Sequence, residues 1–248
     1  MRNKTVFYLG FAAAAVAAMV LGLVAGRAMD PNRAAEREAQ RLTALQTNLQ
    51  QATVLPSDRR PEVPAFELRD HRGHTVDQRL LDGRWSLVFF GYTFCPDVCP
   101  LSMQAVQSAM THLDGAEAAA ALQVVFVSVD PRRDTPERLN SYVNYYHPDF
   151  IGLTGPQEHP EAAIEALTDA LNIAHVKQPN PNEGLSAEAL ERGELGEHYL
   201  VDHYAGFLLV NPERRVHAVF SAPHEPAKLA ADLQRVIANA RVRPNRPV

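Results

Sequence analysis

The chain has 248 residues, a formal net charge of -5 and 46% hydrophobic residues, which suits one ordinary domain with a further segment attached. The acidic balance and the absence of a basic patch exclude nucleic acid as an expected partner. With only two cysteines, Cys95 and Cys99, a disulfide framework is excluded as the basis of the fold.

From Thr5 to Gly26 no residue is charged, and these 22 residues are long enough as a helix to cross a hydrocarbon layer about 30 Å thick. Arg2 and Lys4 precede the run and no small-x-small cleavage site abuts its end, so residues 1–26 read as a retained membrane anchor with the basic end inside. The paired thiols fit a soluble part on the extracytoplasmic side. Asp30-Pro31 reads as a cap followed by proline at the first helical position, and the stretch to about Gln51 is helix-compatible. Its apolar stripe of Leu42, Leu45 and Leu49 is thin, so residues 27–61 read as a partly helical tether and residues 62–248 as the domain.

Within that domain, Ala65 to Leu68 and His74 to Val76 flank the turn Asp70-His71-Arg72-Gly73 and predict a short hairpin. Strands and helices then alternate: a buried strand over Leu87 to Gly91, a helix over Pro100 to Leu113, a strand over Leu122 to Asp130 and a helix over Thr135 to Tyr146. Phe150 to Leu153 follows as a short strand and Pro160 to Ile173 as a helix. Lys177 to Glu197 lacks apolar periodicity and reads as a long surface loop, a candidate hinge for the residues beyond it. Tyr199 to Val210 and Val216 to Phe220 read as two strands about the turn Asn211 to Arg214, and Glu225 to Ala240 as a closing helix. This order specifies an α/β fold, a thioredoxin-like mixed sheet with helices on both faces.

Cys95 and Cys99 lie where a buried strand gives way to a helix, separated by three residues instead of the two of thioredoxin-type exchange centres. The spacing is about one helical turn, so both sulfurs can point one way. Pro100 fits as an early helical residue, which places both thiols at a positive helix end that favours thiolate. A local disulfide across so short a loop would add little stability, and two sulfurs are too few for a closed zinc site. A third group is therefore required. Among ten histidines, His71, His74, His112, His147, His159 and His224 have capping or solvated explanations, whereas His175, His198 and His217 remain open as ligands. His203, in Val201-Asp202-His203, sits at a strand entrance expected near the cysteines.

Four segments together are similar to the Sco/SenC family of copper chaperones: Phe90-Gly91-Tyr92-Thr93-Phe94-Cys95-Pro96-Asp97-Val98-Cys99-Pro100, Val129 to Pro136, His147 to Gly155, and Val201-Asp202-His203. The resemblance covers about residues 62 to 240. It implies a thioredoxin-like fold behind an N-terminal membrane helix, and copper bound by Cys95, Cys99 and His203. It also implies a part in assembling the binuclear copper centre of cytochrome c oxidase subunit II, in a bacterial inner membrane with the soluble domain in the periplasm and no small-molecule substrate. Where the family has serine or threonine after the histidine, this chain has Tyr204.

Two thiolates and an imidazole suit Cu(I), while Cu(II) would take a further oxygen or nitrogen ligand. Met103 is a tempting fourth ligand, but it continues the helical stripe Cys99, Met103, Val106, Met110 and Leu113, a core pattern. Asp202, Asp130 and Asp134 are candidates to support the ligands from behind, Asp202 by holding the second ring nitrogen of His203 and the other two, with Arg133, by fixing a loop. A membrane-tethered thiol:disulfide oxidoreductase is the alternative function and needs only the thiol pair. A peroxiredoxin-like peroxidase is weaker, since its cysteine lies in a different motif.

Overall fold

The computed structural model describes residues 31–113 and 115–241, with positions 16, 18–22 and 26 in addition. The anchor expected over Thr5 to Gly26, and the cap Asp30, lie mainly outside these residues. Among the described residues no helix is long and apolar enough to cross a membrane. The chain forms two compact units, Met1–Ala44 and Leu45–Val248. Most of helix α1 (Pro31–Gln46) belongs to the first, and it stops five residues short of the expected Gln51.

The second unit contains strands β1 (Ala52–Val54), β2 (Glu67–Asp70), β3 (Thr75–Asp77), β4 (Trp85–Gly91), β5 (Leu122–Ser128), β6 (Ile151–Thr154), β7 (His175–Gln178), β8 (Leu200–His203), β9 (Phe207–Val210) and β10 (Val216–Phe220). Its helices are α2 (Val98–Leu113), α3 (Glu117–Ala121), α4 (Pro136–Tyr146), α5 (Pro160–Ala170), α6 (Ala187–Glu191) and α7 (Pro226–Arg241). Eight strands form one mixed sheet in the order β1-β10-β9-β4-β5-β6-β2-β3, and β7 and β8 form a separate two-stranded ribbon. β4 and β5 are buried at every residue and pair in parallel, as their unbroken apolar runs require of central strands. Alternation along β4 sends Val88 and Phe90 to the face lined by Leu167 of α5, and Phe89 to the face shared with Phe126 and with Tyr142 of α4. α2 packs against α7. Helices therefore cover both faces, the mixed α/β architecture expected.

Several boundaries differ from those expected of the sequence. The chain enters the sheet before residue 62, because β1 pairs antiparallel with β10 and its approach is fastened by a buried carboxylate. Asp232 of α7 accepts the backbone N–H groups of Gln50, Gln51 and Ala52 at 2.8, 2.7 and 3.0 Å. Such long-range capture of main-chain donors leaves no periodic signal. The expected loop Lys177 to Glu197 contains the end of β7 and the short α6, whose first turn is capped by Ser186 Oγ accepting from the Ala189 N–H at 3.2 Å. The expected strand Tyr199 to Val210 is two strands. At Gly206 a Cβ would stand 2.3 Å from the Tyr204 hydroxyl, so the tyrosine folds back over the glycine and the chain changes partners, from β7 to β4 and β10.

Parallel pairing places the C-terminal ends of β4 and β5 at one end of the sheet, where open α/β sheets present their sites. β9 runs antiparallel to β4 with Phe207 opposite Phe89, so the β8–β9 connection arrives at that same end. This crossing carries His203 to the cysteines, which are 104 positions away from it in sequence for Cys99.

Candidate metal centre

The loop after β4 is short, and α2 begins at Val98, close to the helix start expected from Pro100. Cys99 is fully buried and Cys95 is half-buried at the rim. The Cys99 backbone N–H points at Cys95 Sγ at 3.5 Å, so the first turn of the helix turns a donor toward that sulfur. His203 Nε2 lies 3.1 Å from Cys99 Sγ. The ligand atoms of Cys95, Cys99 and His203 all lie within 4.8 Å of one another, forming a group of metal-ligating side chains that the separate motifs had suggested.

The two thiols are electrostatically unlike. Hydrogen bonds from the Cys99 side chain, from His203 and from the backbone of Asp97 and Cys99 outweigh burial and bring the Cys95 thiol down to about 4. Burial, and the Cys95 sulfur beside it, push the Cys99 thiol far up. The metal-free pair thus holds one half-buried thiolate backed by a buried thiol. Gly91 makes room for this arrangement: a Cβ there would stand 2.9 Å from Cys99 Sγ and 2.8 Å from the Phe89 ring, closer than real side chains approach.

The imidazole is held from three sides. Its ring meets Phe89 and Tyr92 edge-on, with centroids 5.8 and 5.9 Å away, and Nδ1 lies 3.1 Å from the Tyr204 carbonyl oxygen. Nδ1 donates to that carbonyl, and Nε2 faces the sulfurs. Tyr204, the departure from the family pattern, therefore contributes its backbone, which any residue supplies. Asp202 does not perform the orienting role expected of it. It points to the opposite face of β8, is exposed, and accepts from Gln178 Nε2.

Asp130 and Asp134 fasten the surroundings, at one remove from Cys95, Cys99 and His203. Asp134 is fully buried and accepts from the Thr93 N–H at 3.0 Å, the Thr93 hydroxyl at 2.5 Å and the Ser128 hydroxyl at 2.7 Å, tying the cysteine loop to the end of β5. Burial raises its pKa despite those bonds. Asp130, also buried, pairs with Arg133 and accepts from the Tyr199 hydroxyl at 2.5 Å. Arg133 in turn donates from Nη1 to the Tyr199 carbonyl at 3.0 Å and lies over that ring. The Tyr92 hydroxyl accepts the Val201 N–H at 3.2 Å. Together these contacts clamp the residues leading into β8 against the two loops, and His203 is placed as a result. Sequence alone does not single out Tyr92 and Tyr199; their position beside a ligand motif and just before one is the only signal.

Met103 is fully buried in the stripe of α2, in keeping with the core reading. His217 is buried against Trp85, 5.0 Å between rings, and His198 is exposed. His175 sits opposite His203 in the β7–β8 ribbon, yet among the described residues only His203 joins the thiols in a metal-ligating group.

The SCO1/SenC family profile matches residues 56–238. A Stutzerimonas stutzeri protein whose name describes it as copper-binding is 33% identical over 193 residues, covering 78% of this chain and 85% of that one. The structure of Bradyrhizobium japonicum ScoI with copper bound is 30% identical, covers 71% of this chain and 99% of that one, and superposes with a TM-score of 0.57. The apo Sco1 protein of Thermus thermophilus is 32% identical, covering 74% of this chain and 94% of that one with a TM-score of 0.58. The chain spans about half the length of several mitochondrial relatives it matches. With the profile covering most of the length, and a thioredoxin-like mixed sheet carrying its motifs to one end, this chain belongs to the SCO1/SenC family.

Proposed function

We propose that this chain is a copper chaperone that holds the ion between Cys95, Cys99 and His203 and passes it to a copper-receiving partner during assembly of cytochrome c oxidase, the binuclear centre of subunit II being the destination. The observation that carries this reading is the convergence of two sulfurs and one imidazole nitrogen within 4.8 Å. The donor set fits the cargo: two soft sulfurs and one nitrogen in a three-sided site suit Cu(I), and an oxygen or nitrogen ligand from solvent or partner would complete a Cu(II) site. Copper-bound Bradyrhizobium ScoI supports the choice of metal.

The protein side of the transfer follows from the geometry. The Cys95 thiolate stands half-exposed and ready to ligate, whereas Cys99 must shed its proton as the ion enters. A recipient approaching from solvent meets the rim sulfur first, so exchange of ligands begins at Cys95 while Cys99 and His203 still hold the ion. Residues 1–26 then anchor the chain in the bacterial inner membrane, the residues after them tether it, and the copper-binding domain works in the periplasm.

The test is competition for Cu(I) against bicinchoninate. Wild type takes one ion, His203→Ala weakens binding by about 10–100-fold, and Cys95→Ser abolishes stoichiometric binding. Equal affinity in wild type and His203→Ala removes the histidine from the site. One observation favours a second reading: an acidic, half-exposed thiol backed by a buried thiol is also the arrangement of a thiol:disulfide reductase. Intact disulfide exchange with no copper binding by wild type would select it.

A further inference from the structure

Beside the metal centre lies a groove of about 230 Å³ that copper binding does not use. One wall is Phe94 and Pro96, the two residues flanking Cys95; the other carries Asn180, Asn182 and His198 from the segment between β7 and β8. Its volume is below the roughly 300–1,000 Å³ of pockets for drug-sized molecules and suits a residue or two of peptide. Arg133 and Tyr199 also line it.

The electrostatics select the occupant. Arg133 is neutralised by Asp130 through Nε and donates from Nη1 to the Tyr199 carbonyl, and its Nη2 is buried without a hydrogen-bond partner among the described residues. An arginine already paired, with its remaining nitrogen buried, offers little to an anion, so the groove suits a neutral occupant. Asn180 and Asn182 carry amides that both donate and accept, the complement of extended backbone. Phe94, 38% exposed despite its size, supplies an apolar platform held in place by the guanidinium groups of Arg133 and Arg138, 4.8 and 4.1 Å from its centroid.

We propose that this groove binds an extended polypeptide segment of the partner, bringing the partner's own cysteine across Cys95. The occupant is recognised through its backbone by the Asn180 and Asn182 amides and through an apolar side chain on Phe94. This deepens the chaperone reading and rests on it for the partner's purpose, but its test needs no copper.

The probe is a blocked pentapeptide with a central cysteine, glycine on both sides of it and phenylalanine at each end, carried as its mixed disulfide with 5-thio-2-nitrobenzoate. The reference is the mixed disulfide of mercaptoethanol with the same leaving group. In reduced, metal-free full-length protein, Cys95 Sγ attacks the probe sulfur, the new S–S bond forms, and the nitrobenzoate thiolate departs with the electron pair and is read by absorbance. Wild type should favour the peptide over the reference by about tenfold, and both Asn182→Trp, which fills the groove, and His198→Ala should erase that preference without altering the reference rate. Equal rates with the two disulfides in wild type, or a preference kept in either variant, would overturn the proposal. Failure of wild type to bind Cu(I) would strike the chaperone reading alone.

Discussion

Gly91→Ala is the smallest change that should injure the site without touching a ligand. The added methyl would stand 2.9 Å from Cys99 Sγ, 2.8 Å from Phe89 Cε1 and 3.1 Å from Phe126 Cε2. Favourable contacts between such atoms lie near 3.5–4.0 Å, so the sulfur has to withdraw by roughly 0.6–1 Å or the aromatic face has to shift. Overpacking of this kind costs about 1–3 kcal/mol, or a Tm fall of about 2–12 °C in a domain of this size. A metal site tolerates ligand displacements of only about 0.2 Å, so Cu(I) affinity should fall by about 10–100-fold, as when a residue supporting a ligand is lost. The assay pairs thermal unfolding of the metal-free protein with competition against bicinchoninate. If Gly91→Ala keeps both the Tm and the affinity of wild type, Cys99 is not seated against the strand end and the packing assigned to the buried sulfur is wrong.

Tyr199→Phe removes the hydroxyl donated to buried Asp130 and should cost about 1–3 kcal/mol in a urea titration, with weaker copper binding because β8 is less firmly held; unchanged values would separate this network from His203. Asp232→Ala leaves three main-chain donors unsatisfied and should lower stability by about 2–4 kcal/mol and speed amide exchange in β1, while copper affinity stays at the wild-type value. Iodoacetamide should label Cys95 and spare Cys99, with the labelling rate of the native metal-free protein rising through a midpoint near about 4 and that of the unfolded chain near an ordinary thiol pKa. Folding lowers the Cys95 pKa, so this residue contributes stability that is full above the unfolded thiol's pKa and lost as pH falls through about 4; Cys99, shifted upward, acts in the opposite sense at alkaline pH. A native labelling midpoint near 8 would contradict the hydrogen-bonded thiolate.

The central architecture is readable because its signals are local. The unbroken apolar runs of β4 and β5 announce buried parallel strands, and Thr135-Pro136-Glu137 announces α4, where Thr135 does accept from the Arg138 N–H. Cysteine spacing points to ligands sharing one helix end, and the four family motifs supply His203. The features hidden from the sequence depend on contacts between distant residues. The break at Tyr204 to Gly206 arises from a side chain folding onto a glycine, which hydropathy does not register, so one long strand is expected in place of β8 and β9. Asp232 recruits β1 by accepting main-chain donors about 180 positions earlier, so the start of the sheet lies unseen in the expected tether. Asp202 stands beside His203 in sequence, yet strand alternation turns it to the other face, while Asp130, Arg133 and Tyr199 place the histidine from separate loops.

X-ray absorption at the copper edge, on wild type and His203→Ala loaded with one equivalent of Cu(I), tests the three-residue site most directly. Wild type should show two sulfur neighbours and one imidazole nitrogen, and the variant should keep the sulfurs and lose the imidazole scattering. An imidazole signal that survives in His203→Ala, or a wild-type ion bound by sulfur alone, would contradict the site built from Cys95, Cys99 and His203.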